Sequence, residues 1–310
     1  IMTNFTLLAV PLFVFMGVVL EKSGVAEQLL DTMGRVFGRI RGGLAISVVM
    51  VGALLAATTG VVGASVVTMT VIALPSMLKR GYAPSLASGT IAASGTLGQI
   101  IPPSIILILL GDVIGVPVGE LFIGAVVPGI LLIVAYILYI GYVAWRHPHL
   151  APAVQDDNSE LAALWISVLK SLLPPLLLII AVLGSIFYGI ASPTESAAVG
   201  ALGALILAAL HRRLTMPNLR DAMQKTAQLT SMVFLIFIGA TAFGLVFVGM
   251  GGDGLILDIF SGLPGGKWTF LIISMLLIFV LGFFLDFIEI CFIVVPIIAP
   301  VAIHLGIDPL

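Results

Sequence analysis

The segment SGTLGQIIPPS, residues 94–104, interrupts one of the most hydrophobic stretches of the sequence. It places small hydroxyl residues, glycines, Gln99 and the pair Pro102 and Pro103 where the flanking apolar residues predict a helix. Proline removes a backbone donor and clashes with the preceding helical turn, and glycine weakens a helix interior. In lipid, every unpaired backbone group is costly. The segment therefore predicts a broken helix, over 84–111, whose break faces a cavity or other protein.

The composition assigns the chain to the bilayer. Hydrophobic residues make up 60% and charged residues 9%, with a mean hydropathy of +1.26. Soluble domains average about 25% charged residues, and a membrane span needs about 20 apolar residues. We expect an all-α integral membrane protein. The net charge of -2 gives no reason to expect a nucleic-acid partner, and the single Cys291 excludes an internal disulfide or a thiolate metal site. The abrupt first and last residues lead us to expect part of a longer protein.

Basic residues predict the first of two re-entrant helical hairpins. Lys and Arg collect on the cytoplasmic side of membrane proteins. They flank the apolar segments 43–59 and 61–78 on both sides, as Arg35, Arg39, Arg41, Lys79 and Arg80. If both clusters are cytoplasmic, the segment 43–78 enters and leaves by one face and turns near TTGVVGAS, residues 58–65. Residues 25–40 alternate polar and apolar at helical spacing, which predicts an amphipathic helix at the interface.

A weak internal repeat predicts the second hairpin. PSMLKRGYAP, residues 75–84, aligns without gaps with PVAIHLGIDP, residues 300–309. Five predicted crossings separate the copies, so the second copy is inverted: 84–111, 119–145, 164–188, 194–210 and 226–249. It predicts a hairpin over 267–303 that turns at 283–290. Inverted repeats with discontinuous helices are typical of secondary transporters. We divide the chain into a first repeat, 1–145, connecting helices and loops, 146–225, and an incomplete second repeat, 226–310.

Oxygen-rich residues near the first turn and in the broken helix predict a cation site. A hard monovalent cation is bound by several neutral oxygens, which hydroxyls and unwound backbone supply. The candidates are Thr59, Gly60, Gly63, Ser65, Ser94, Gly95, Thr96 and Gly98. Pro102 and Pro103 keep the helix from closing again. The alternative is that these small residues serve close helix packing.

The second hairpin predicts a second site near its turn. Asp286 and Glu289 lie three residues apart on one helical face, and ionisable groups at membrane depth are usually functional. They could hold a cation, gate the hairpin or carry a proton; alternatively, the turn reaches the interface and both are solvated. Gly239 and Thr241, in IGATAFG, offer another opening with oxygen donors, or serve core packing. Ser192 or Thr194 can cap a helix start, with Pro193 in its first turn and Glu195 complementing the positive helix end; the alternative is a substrate contact.

The order of these motifs resembles the large membrane subunit of tripartite ATP-independent periplasmic (TRAP) transporters, the DctM type. The resemblance covers essentially the whole chain, and the PPS and PTE segments are its most specific marks. The motifs are PLFVFMG, GRIRGG, TTGVVGAS, SGTLGQIIPPS, SPTESAAVGA and GFFLDFIEICFIVVPIIAP.

The resemblance implies an inverted-repeat fold of the ion-transporter superfamily and sodium-coupled import of organic acids by an elevator movement. It implies a small membrane subunit (DctQ type), a periplasmic substrate-binding protein (DctP type), a small carboxylate substrate and a multi-pass location in the bacterial inner membrane. It implies that sodium binds at both candidate sites. It also implies that the chain is not an enzyme. The alternatives are a stand-alone sodium/dicarboxylate or citrate carrier of the same superfamily and, remotely, an intramembrane protease using Asp286.

Overall fold

The computed structural model describes residues 6–59, 62–153, 161–261 and 266–310. Across these ranges the chain forms helices and contains no strand. The helices are α1 (Ala9–Lys22), α2 (Val25–Phe37), α3 (Gly43–Thr59), α4 (Val62–Lys79), α5 (Pro84–Thr96), α6 (Ile105–Ile114), α7 (Val118–Arg146), α8 (Leu161–Phe187), α9 (Pro193–Leu210), α10 (Met216–Gly249), α11 (Gly252–Ser261), α12 (Gly266–Leu281), α13 (Phe287–Glu289) and α14 (Val295–His304). A π-helical turn, Ile290–Val294, joins α13 to α14.

Several helices are long and apolar enough to cross a membrane. In the described ranges there are five: Val118–Arg146, Val168–Phe187, Pro193–Leu210, Met216–Gly249 and Phe287–His304. The pair α1 and α2, bent by 56°, passes the same test together. These helices confirm the prediction of an all-α, multi-pass membrane protein.

Two hydrophobic cores hold the bundle together. One joins α1, α6, α9 and α10 around residues such as Phe13, Ile108 and Ala204. The other joins α2, α3, α4 and α5 around Met33, Val48 and Met77. Both draw on distant parts of the chain, and the predicted repeat boundaries, 1–145, 146–225 and 226–310, remain a prediction.

The helices α3 and α4 form a hairpin whose two ends lie at one end of the bundle. The two helices pack on each other, and α5 packs on both. The Leu44 amide donates to the Tyr82 hydroxyl at 3.3 Å, so the beginning of α3 lies beside the end of α4. Helices of 17 and 18 residues are about 26 and 27 Å long. They fall short of the ~30 Å hydrocarbon core, as a re-entrant hairpin requires, and re-entry itself remains a prediction.

A loop after α7 binds the ends of this hairpin. Gly42 donates its amide to the Ala151 carbonyl at 3.1 Å, and Ala83 donates to the Leu150 carbonyl at 3.0 Å. Burial raises the pKa of Tyr82, whose hydroxyl lies between the loops. We name this region, residues 38–43, 79–83 and 146–152, the basic end.

The second predicted hairpin is also two helices joined by a short turn. The 16-residue α12 ends at Leu281, and helix resumes at Phe287. The turn occupies 282–286, so it is shorter than the predicted 283–290 because Asp286 caps the returning helix. The helices α12 and α14 are in contact. The inverted relation to the first hairpin remains a prediction.

Two predicted helices form. The helix α2 is amphipathic, with Leu29 and Met33 buried and Glu27 and Asp31 exposed, and its place at the membrane interface stays a prediction. It packs on α3 and α8. The start of α9 is a capping box, in which the Ser192 hydroxyl accepts from the Glu195 amide and the Glu195 carboxylate accepts from the Ser192 amide.

Candidate functional site

The broken helix opens between α5 and α6. After Thr96 the chain forms a single 3-10 turn, Leu97–Gln99, and helix resumes at Ile105. Pro102 and Pro103 lie in the non-helical residues between them and are joined by a cis peptide bond. The buried Ser104 hydroxyl donates to the Gln99 carbonyl at 2.6 Å. One of the carbonyls freed by the break is thereby satisfied inside the protein, as its position among apolar helices demands.

The two hydroxyls before the break point their protons into their own helix. Ser94 donates to the Ile91 carbonyl at 3.0 Å, and Thr96 donates to the Ala93 carbonyl at 2.8 Å. Ser94 is buried, whereas Thr96 is exposed. Since each proton is used within the helix, the lone pairs of both oxygens stay available to a donor or a cation.

Gly95 has a packing role. A Cβ built on it would lie 2.3 Å from Val66 Cγ2 and 3.2 Å from the Val66 backbone nitrogen. On the neighbouring face, a Cβ on Gly52 would lie 2.6 Å from Ser94 Cβ. These contacts bring α3 and α4 against the last turn of α5, so the alternative of close helix packing applies at Gly95.

The other first-site candidates occupy both sides of this contact. Ser65 is buried one residue before Val66, and Gly63 is exposed at the beginning of α4. Gly98 is buried in the 3-10 turn. Thr59 ends α3, and its side chain lies outside the described residues, as does Gly60. The structure thus brings Ser65 and Ser94 to neighbouring positions on packed helices.

A cavity of about 400 Å³ joins the two hairpin turns. It is lined by residues from both turns, the start of α6 just after the prolines, α1 and α10: Val14, Val62, Gly63, Ile105, Leu229, Met232, Val233, Asp286, Phe287 and Ile288. Among these residues Asp286 alone is ionisable. Gly63, from the first predicted site, and Asp286, from the second, therefore line the same cavity.

Asp286 caps the helix that returns from the second turn. One carboxylate oxygen, Oδ1, accepts from the Phe287 amide at 2.8 Å, which satisfies a free donor at the beginning of α13. Asp286 is exposed and lines the cavity, and Glu289 follows in α13, partly buried. The second oxygen of Asp286 can meet a cation or a polar ligand in the cavity.

The predicted opening at Gly239 and Thr241 is wrong. The helix α10 continues without a break from Met216 to Gly249. Thr241 donates its hydroxyl to the Phe237 carbonyl at 2.7 Å, and both candidates are exposed, so neither serves core packing. Thr241 lines a different cavity, of about 350 Å³, with Phe237 and Phe292. The structure does not bring this pair to Asp286.

Sequence reasoning missed two polar links beside the hairpin. Thr68, in α4, donates to the Glu21 carboxylate of α1 at 2.5 Å. Lys22, the residue after Glu21 in α1, forms an ion pair with Asp221 of α10. No spacing along the chain relates these residues, so only their folded positions reveal the contacts. Within the described ranges, no group of three or more His, Cys, Asp or Glu could hold a metal ion.

The whole chain, residues 1–310, matches the family model described as the tripartite ATP-independent periplasmic transporter, DctM component. It is 33% identical to the C4-dicarboxylate TRAP transporter large permease protein DctM of Pseudomonas aeruginosa, over 99% of this chain and 71% of that protein. It is 30% identical to the Rhodobacter capsulatus protein of the same name, over 99% of this chain and 72% of that protein.

A relative with a different named substrate has the same level of similarity. The chain is 30% identical to the sialic acid TRAP transporter large permease protein SiaM of Vibrio cholerae, over 99% of this chain and 71% of that protein. The members of this family are transport permeases, which confirms the prediction that the chain is not an enzyme. The helices, the broken helix and the match over all 310 residues lead to one conclusion: the chain belongs to the DctM family of TRAP transporter large permease subunits.

Proposed function

We propose that this permease imports small carboxylates across the bacterial inner membrane, driven by sodium and by an elevator movement of the hairpins. The observation that carries the proposal is the cavity in which Gly63, Ile105 and Asp286 meet, because it joins both turns to the broken helix. Discontinuous helices at such a site expose backbone groups that recognise substrate and coupling ions. Relatives named for C4-dicarboxylate and sialic acid support an organic acid as the substrate.

Neutral oxygens near the break support sodium as the coupling ion. Ser94 and Thr96 donate their protons within α5, so their lone pairs can accept a cation, and Ser65 lies on the facing helix. The cap residue Asp286, which lines the cavity, adds a carboxylate oxygen. Moving one charge through 100 mV contributes about 2.3 kcal/mol, enough to drive useful accumulation.

Two partners follow from the family: a small membrane subunit and a periplasmic binding protein that delivers the acid. The alternative is a sodium-driven carrier of the same superfamily that binds its substrate directly from the periplasm. The tripartite model is favoured by the family match over residues 1–310.

Uptake into proteoliposomes tests the proposal. The complete permease and its small subunit are reconstituted, an inward sodium gradient is imposed, and labelled C4-dicarboxylates are offered with and without the binding protein. We expect uptake that requires both sodium and the binding protein. Sodium-driven uptake without the binding protein would establish the stand-alone carrier, and uptake indifferent to sodium would refute the coupling.

A hydroxyl deletion tests the ion site in the same assay. Thr96→Val should raise the sodium concentration needed for half-maximal uptake, since it removes an oxygen beside the break. Thr32→Val is the matched control, because Thr32 makes the same bond to its own helix, to the Gln28 carbonyl at 2.6 Å, in α2. Equal sodium dependence in the two variants would remove Thr96 from the site.

A further inference from the structure

A groove of about 660 Å³ runs between α5 and α7, separate from the cavity lined by Gly63, Ile105 and Asp286. One wall is α5 from Ser85 to Ala93, and the other is α7 from Ala135 to Val143, with His147 just after the end of this helix. A Cβ on Gly89 would meet no described atom within 4 Å, so the α5 wall is open to the outside. The lining is mainly apolar, with polar groups from Ser85, Thr90, Tyr136, Tyr139 and His147.

Aromatic residues on α7 fix the depth of the groove. Tyr139, Tyr142 and Trp145 are exposed near the end of this helix, and exposed Tyr and Trp mark the level of the lipid headgroups. From Ala135 to the end of α7 at Arg146 the groove follows the helix for about 17 Å at ~1.5 Å per residue. Half of a ~30 Å hydrocarbon core is about 15 Å. The groove thus has the length and depth of one leaflet.

Positive charge surrounds the mouth of the groove. His147 and Leu150 line the mouth, and they belong to the basic end. Arg41 and Arg146, which lie there with Lys79 and Arg80, form no ion pair with an acidic residue of the described ranges. A Cβ on Gly42, next to Arg41, would lie 3.2 Å from Ile140, which lines the groove. The sequence of the basic end contains no Asp or Glu.

We propose that this groove binds one anionic phospholipid, with an acyl chain between α5 and α7 and the headgroup at the basic end. The apolar body at leaflet depth fits the acyl chain, and the charge of Arg41 and Arg146, which form no ion pair among the described residues, complements the phosphate at headgroup depth. A neutral helix from another protein would fit the groove but would offer these two arginines no negative charge. Basic clusters beside a span attract anionic lipids.

Native mass spectrometry of the complete permease with its small subunit tests the site. Phosphatidylglycerol and phosphatidylcholine with identical chains are titrated, and the affinity of the first bound lipid is compared. We expect wild type to prefer phosphatidylglycerol. Arg41→Gln with Arg146→Gln should weaken its binding about fivefold for each charge removed, and Arg220→Gln, which removes a charge on α10, should leave it unchanged.

A second variant fills the groove. Gly89→Leu should abolish the preferred site, whereas Gly124→Leu, at another glycine whose Cβ meets no described atom within 4 Å, should retain it. Melting temperatures near that of wild type show that both variants fold. Wild type binding the two lipids equally, or Gly89→Leu binding phosphatidylglycerol like wild type, would overturn the proposal. So would a cross-link from Gly89→Cys to the small subunit, or displacement of the lipid by glycerol phosphate alone.

Discussion

The contact between Gly95 and Val66 gives the sharpest test of how the broken helix is held. In Gly95→Ala, the new methyl group lies 2.3 Å from Val66 Cγ2 and 3.2 Å from the Val66 Cα. Such overpacking costs about 1–3 kcal/mol, which exceeds the ~0.5–1 kcal/mol that alanine gains over glycine in a helix. We therefore expect a lower free energy of unfolding, with α4 pushed away from α5.

A second substitution tests the cause. Val66→Ala removes the Cγ2 atom of the closest contact, so the double variant should recover most of the stability lost in Gly95→Ala. Atoms in direct contact show such non-additive energies, whereas distant sites add. Gly89→Ala is the matched control on the same helix, because its Cβ meets no described atom within 4 Å, and it should be neutral or stabilising.

Thermal unfolding of the purified permease in detergent, with sodium-dependent uptake measured in parallel, separates packing from ion binding. Gly95→Ala as stable as Gly89→Ala would refute the close contact. A double variant that regains stability but not its sodium dependence would show that the Gly95 backbone also serves the ion site. Recovery of both would leave Gly95 with packing as its role.

Three further predictions concern the ends of the first hairpin, the start of α9 and the ion pair between Lys22 and Asp221. Arg41→Cys and Lys79→Cys, each with Cys291→Ser, should both react with an impermeant thiol reagent from the cytoplasmic side, since the hairpin ends lie together; opposite sides would contradict the hairpin. Ser192→Ala should lower the unfolding free energy by about 1 kcal/mol, as measured by thermal unfolding, and Ser192→Thr should not, because its hydroxyl still accepts from the Glu195 amide and donates to the Glu195 carboxylate. Lys22→Met breaks the pair with Asp221, whose side chain is 50% exposed, so it should cost below ~1 kcal/mol, and less in high salt.

Local physics made part of this structure predictable from the sequence. Pro102 and Pro103 cannot donate the backbone hydrogen bonds of a helix, and together with Gly98 they lie at the break that the sequence predicts between α5 and α6. The predicted segment 43–59 has the bounds of α3, because apolar length and flanking glycines and arginines fix where such a helix starts and stops. The capping box at Ser192 is likewise contained in four consecutive residues.

The same local reasoning fails where a pattern fits two structures. Gly239 and Thr241 resemble the residues of the true break, yet Thr241 bonds to the Phe237 carbonyl and α10 stays intact. Glycine and threonine permit an opening without enforcing one, and a proline pair alone does not enforce one either, because Pro174 and Pro175 lie inside the continuous helix α8. At Gly239 and Thr241, the intrahelical hydrogen bonds keep the lower free energy in an apolar environment.

The sequence by itself determined the membrane class, the limits of α3, the position of the first break and the family. Only the tertiary structure decided that Gly63, Ile105 and Asp286 line one cavity, and that Gly95 is set by its contact with Val66. The physical reason is that a membrane helix is apolar on every face, so its sequence does not distinguish one face from another. Which face meets which neighbour depends on the close packing of small and large side chains between helices far apart in the chain.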